Sequence, residues 1–207
     1  MLTGAMCVIL AVFAMLDPQV LSIIGRVSPS GIGPDGPLFH EADLKALAGI
    51  PSAESKLLAV VHDKDTSADH RFVAAEALLE GGWTNWRSKR EDRHAVADVL
   101  ADALVRDRVH NRWGLPGEFT GRFGKQLLGL QAEGDAALRR LLNDNRPLEI
   151  AGSEAATLNS KARYRVSDLA AWLLISTYGV PWSNNPDPAV RDAEIARLRD
   201  MPYPKGK

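Results

Sequence analysis

From Phe39 to the end of the chain, apolar residues recur every three or four positions, and this spacing constrains the fold more than any other feature. It predicts a succession of helices. The clearest runs from Glu91 to Arg106. Val96, Val99, Leu100, Ala103 and Leu104 share one face there, with Asp92, Arg93, Asp98 and Asp102 opposite. Its acidic first turn and terminal Arg106 suit the helix dipole. Ser52 is a candidate cap for a helix carrying Leu57, Leu58 and Val61. A polar turn, His62–Ser67, leads into a second helix, Asp69–Glu80, with Phe72, Ala75, Leu78 and Leu79 on one face. Gly81-Gly82 should end it.

Further along, Pro116-Gly117 reads as the opening of a helix with a Phe119, Phe123, Leu127 and Leu130 stripe. Asp135 reads as the cap of a short helix bearing Leu138, Leu141 and Leu142. The stretch 146–166 alternates at both ends, so a short strand pair or an ordered loop is expected there. Ser167 then starts the most apolar helix, Leu169–Tyr178, which should be the central buried one, with Trp172 in the core. Gly179 and Pro181 close it. Asp187-Pro188 marks the last helix start, with Ile195, Leu198 and Met201 inward. The fold class expected is all-α, built from antiparallel helical hairpins. No βαβ alternation and no glycine-rich phosphate loop is present.

Ahead of this body lies a different segment. Ala5–Leu16 carries no charge, Asp17-Pro18-Gln19 interrupts, and Val20–Gly25 resumes the apolar run. The first run is shorter than the ~20 residues of a spanning helix and about as long as a signal-peptide core. Residues 1–25 are therefore read as an export signal or anchor, with a buried first helix and a misplaced start codon as alternatives. The signal reading places the protein in a bacterial envelope, exported or tethered through 5–25. If residues 1–25 belong to the fold, a cytoplasmic place follows. Ser28–Pro37 holds three Pro and three Gly in ten residues, which excludes helix and central strand. Residues 26–38 are thus a linker, and 39–207 the helical domain.

Two stretches resemble HEAT-type helical repeats. SAESKLLAVVHDKDTSADHRFVAAEALLEGG (Ser52–Gly82) is similar to one helix–turn–helix unit with an alanine-rich second helix. GDAALRRLLNDNRP (Gly134–Pro147), followed by YRVSDLAAWLLISTYG (Tyr164–Gly179), resembles the last units of bacterial HEAT-like proteins. The resemblance covers about half the chain, and the repeats do not align with one another by eye. It implies a short α-solenoid whose stacked hairpins bind a protein or peptide, with a compact bundle as the other architecture.

The net charge of −1 disfavours nucleic acid, which demands an excess of cations. Cys7, the single cysteine, excludes a disulfide framework and a thiolate zinc site. No Gly-x-Ser-x-Gly elbow occurs, and His70, His94 and His110 form no i, i+4 pair. No cofactor is expected. The sharpest catalytic hint is His62-Asp63, which is similar to the vicinal pair of the all-α His-Asp metal phosphohydrolases. His40 would stand upstream and Asp98 or Asp102 downstream. Lys64-Asp65-Thr66 departs from that family's continuation, and the plainer reading is a polar turn capping two helices. Trp83, Trp86, Trp113 and Trp182 fall at helix ends, where they either seal the core or line an aromatic groove.

The candidate binding residues are Lys161, Arg163, Tyr164, Arg165 and Asp168. Alternation would place the three cations on one face, for an acidic peptide or a phosphate. The alternative is a surface network with Asp168, Glu149 and Glu154. The expected function is a non-enzymatic interaction or scaffold module. A divergent phosphohydrolase and a structural subunit of an envelope assembly are the alternatives.

Overall fold

The computed structural model describes residues 16–27 and 38–202 of the chain. Asp17 begins the first helix, α1 (Pro18–Ile24), by accepting the backbone N–H groups of Gln19 and Val20. Val20 and Ile24 are fully buried in the same core as the rest of the protein. The second half of the apolar N-terminal stretch therefore packs with the helical body. Residues 5–15 and the linker 28–37 lie outside the described residues. No described helix is long and apolar enough to cross a membrane.

Next come α2 (Glu41–Ala48), α3 (Ala53–His62), α4 (Ala68–Glu80) and α5 (Arg90–Arg106). Ser67 caps α4 through its hydroxyl, which accepts the His70 N–H at 3.2 Å. Ser52 precedes α3 as expected but makes no side-chain cap; it takes a left-handed conformation at φ 57° instead. α3 and α4 form a helical hairpin about the 63–67 turn. α4 is buried on more than one face, Phe72 through Leu78 without interruption. Its alanines let α1, α3 and α5 all approach it. On α5 the five expected apolar residues are buried, and so is Asp92, against its expected place on the solvated face.

The segment after α5 departs from expectation. Pro116-Gly117 opens no helix; it is the turn of a two-stranded antiparallel hairpin, β1 (Gly114–Leu115) and β2 (Phe119–Thr120). Gly114 has φ +135°, and a Cβ there would sit 2.6 Å from the Phe119 carbonyl oxygen, so only glycine fits. The helix itself, α6, runs Arg122–Gly129. Phe123 packs with Phe72 and Trp113 at ring-centroid distances of 5.2 Å each. Asp135 caps nothing; it lies inside α7 (Ala132–Leu141), buried.

Residues 146–166 contain a helix, α8 (Ser153–Ala162), where a loop or strand pair was expected. The alternating ends do meet: the Leu148 N–H donates to Tyr164 and the Val166 N–H to Arg146, around an isolated Pro147–Arg165 bridge. The sequence carries no periodic signal for α8, because it has no apolar stripe and only Ala162 on it is buried. α9 (Val166–Tyr178) is the central helix, buried continuously from Val166 to Ile175 except at Trp172, which is partly exposed. Gly179 ends it at φ 64°. α10 (Pro188–Asp200) starts on the Asp187 cap. Packing then proceeds in order, α3 on α4, α4 on α5, α5 on α7, α7 on α9 and α9 on α10.

Candidate binding groove and buried polar networks

The expected cation cluster is divided by the backbone. Lys161 is in the last turn of α8, Arg163 follows in a left-handed conformation at φ 53°, and Arg165 is extended. They lie on no common strand face. Arg165 turns inward, with its guanidinium 3.0 Å from Asp168 and 2.6 Å from Asp192. Its backbone N–H also donates to Asp168, closing a capping box on α9. Asp168 is fully buried and faces a second buried cation, Arg191, at 3.0 Å. Arg191 donates in turn to the carbonyls of Asn185, Pro186 and Ala162. Tyr164 is buried, and its hydroxyl donates to Asn184. Burial pushes its phenol above the usual range. Arg165, Tyr164 and Asp168 therefore tie α8, α9 and α10 together. Lys161 and Arg163 stay exposed, without a side-chain partner among the described residues. Glu149 and Glu154 do not join the network.

The His62–Asp63 pair is likewise committed elsewhere. His62 Nε2 lies 2.8 Å from Asp92 of α5. Asp63 accepts the Thr66 hydroxyl at 2.6 Å and the Asp65 N–H at 3.1 Å, and the Thr66 bond holds its carboxyl below the usual range. His40 precedes α2 as its N-cap residue, Asp98 pairs with Arg140 and His94, and Asp102 with Arg71. Among the described residues no three His, Cys, Asp or Glu side chains converge on a metal-sized site.

Sequence reasoning missed a buried carboxylate. Glu76 of α4 is completely enclosed. Its Oε2 accepts from Gln126 Nε2 at 3.1 Å and lies 3.6 Å from Arg122, both on α6. Glu80, one turn on, pairs with Arg122 and accepts the N–H groups of Leu38 and Phe39. Glu76 Oε1 and Gln126 Oε1 have no donor among the described residues. Burial outweighs the Arg122 charge and pushes the Glu76 carboxyl up to about 8. The available sequence signal was a lone acidic residue inside the apolar run VAAEALL (Val73–Leu79).

A groove of about 420 Å³ opens between the β1–β2 hairpin and the start of α8. Leu115, Phe119 and Leu158 give it an apolar lining; Glu118 and Glu154 give it an acidic one. The hairpin presents Phe119 to solvent at 38% exposure, paired in register with the buried Leu115. Gly152 starts α8 at φ +91°, and a Cβ there would meet nothing within 4 Å. With no side chain to cap it, α8 leaves the N–H groups of Ser153, Glu154 and Ala155 without acceptors among the described residues. Trp83 and Trp182 are partly buried against the core, and Trp86 and Trp113 lie within it; none of the four lines the groove. Compared with known proteins, the chain matches no protein-family model, no curated protein and no solved structure.

Proposed function

We propose that the chain is a non-enzymatic interaction module that receives a segment of a partner protein in the groove between the hairpin and α8. One observation carries this reading. The groove combines an exposed aromatic ring, an aliphatic lining and three backbone donors without acceptors among the described residues. Those are the elements with which a folded surface holds an extended peptide: pockets for side chains and donors for its carbonyls. Support also comes from what surrounds it. The groups with chemical potential are used internally: His62 by Asp92, Asp168 by two arginines, Glu76 beneath the core. The resemblance of Ser52–Gly82 to a HEAT unit belongs to the same proposal, since stacked hairpins serve widely as binding scaffolds.

Selection of random displayed peptides on the full chain tests it. A common motif should be enriched over a heat-unfolded control, and a synthetic peptide bearing that motif should bind saturably. Absence of enrichment over the control would sink the reading. Arg165 is unsuited as a probe residue, because its loss opens the α8–α9–α10 network whether or not a partner binds.

A further inference from the structure

We infer that the segment this groove accepts is basic and apolar: an extended stretch in which Leu, Val or Phe is followed within two or three residues by Lys or Arg. The inference rests on the interaction-module reading and adds the chemistry of the partner. The apolar part follows from Phe119 and Leu158. They form an incomplete contact layer above the buried Leu115, and a ligand side chain would complete it.

The cationic part follows from charge. Glu118 enters from the hairpin and Glu154 from the first turn of α8, and neither side-chain carboxylate has a hydrogen bond or ion pair among the described residues. Nearby carboxylates are in a different state: Asp107 is held by Arg112 and Trp113, and Asp168 by Arg165 and Arg191. Among the described residues no lysine or arginine lines the groove. The open N-terminus of α8 offers about half a positive charge, against two full negative ones. The balance is therefore negative, and an anionic ligand would meet repulsion. The helix amides suit neutral acceptors, the carbonyl oxygens of the peptide backbone. A volume of about 420 Å³ falls in the range of small ligand sites, ~300–1,000 Å³. That suits a few residues rather than a folded domain.

The test uses the full chain and three immobilised octapeptide pools with randomised flanks. One has Leu, Val or Phe followed by Lys or Arg. In the second, Glu or Asp replaces the cation, and in the third, Gly replaces the apolar residue. The first pool should retain the protein at low salt, with retention falling as salt rises, and the other two at least tenfold less. Glu118→Gln with Glu154→Gln should lose about tenfold in affinity for the first pool, which is about 1.4 kcal/mol. Phe119→Ser should lose as much. All three positions lie at the surface, and unchanged circular dichroism and unfolding midpoint would show intact folding. If Phe119→Ser unfolds, the Gln pair decides.

Equal binding of the acidic pool would overturn the inference, as would wild-type binding by the Gln pair or no binding of the first pool. The two readings fail differently. A displayed peptide that binds the full chain and the groove variants alike leaves the module standing and removes this groove chemistry. No peptide binding in either experiment removes both.

Discussion

Glu76 occupies a place where an ionised carboxylate loses its water and gains back only one amide and a distant guanidinium. Its folded-state value of about 8 stands above the 4.5 of an exposed glutamate. A raised carboxyl means that the folded state holds the proton more tightly than the unfolded chain. The associated stability is fully present below pH 4.5 and is lost as pH rises toward 8. At about 1.4 kcal/mol per unit, the loss is on the order of 3–5 kcal/mol. Urea midpoints measured across that window should therefore fall for the wild type, and Glu76→Gln should flatten the decline. Parallel curves for the two proteins would show that Glu76 is ionised throughout. Arg163 offers a second test at this scale. Its left-handed backbone, φ 53°, costs a residue with a β-carbon about 1–2 kcal/mol, part of which glycine returns through its freer unfolded chain. Arg163→Gly should raise stability by about 0.5–1 kcal/mol by thermal unfolding.

At the scale of elements, the protein is pinned by buried ion pairs between helices. Arg93 of α5 reaches Glu133 of α7 with two bonds of 3.1 and 3.2 Å. Arg139 of α7 donates to Tyr178 of α9 and, at 2.8 Å, to the Leu198 carbonyl of α10. Burial pushes the Tyr178 phenol up to about 12, so it stays a neutral donor to Asp135 across the working pH range. The pair of Asp168 with Arg165 and Arg191 is the most enclosed of these. Asp168→Ala leaves Arg191 buried and uncompensated, and should cost about 3–5 kcal/mol. The loss should appear first as faster hydrogen exchange in α8, which buries little apolar surface of its own. A loss under about 0.5 kcal/mol, the level of an ordinary surface change, would contradict this role.

At the scale of the whole molecule, the core is continuous from α1 to α10. Ile24 in α1 is completely buried against it. Ile24→Ala should cost about 2–5 kcal/mol in the unfolding of the full chain, as truncation of an enclosed side chain does. No measurable change would detach α1 from the domain. Much of this body was legible in advance. The capping at Asp187-Pro188, the stripe of α5 and the uniform apolarity of α9 each write their own helix. The site was less legible. Of the expected residues only Lys161 and Arg163 are exposed, and the groove is lined by Leu115, Glu118, Phe119 and Leu158, which no local pattern groups.

What the sequence determined by itself is the mostly helical class, the helix ends written by local signals such as Ser67, Gly179 and Asp187-Pro188, and the apolar faces of α5 and α9. These follow from interactions within a few residues: caps, glycine stops and the 3.6-residue period. The tertiary structure alone decided which polar residues go inside. Asp92, Glu76, Asp168 and Arg191 look in the sequence like any charged residue on a helix, and their burial depends on partners 23 to 50 positions away. It also decided the hairpin at Pro116-Gly117, because the close approach of Gly114 to Phe119 is a contact between strands. The groove arose in the same way. It exists because two short elements with little core of their own, the hairpin and α8, are brought side by side where His110 and Asn111, just before the hairpin, bond to Glu149 and Ala151, just before α8.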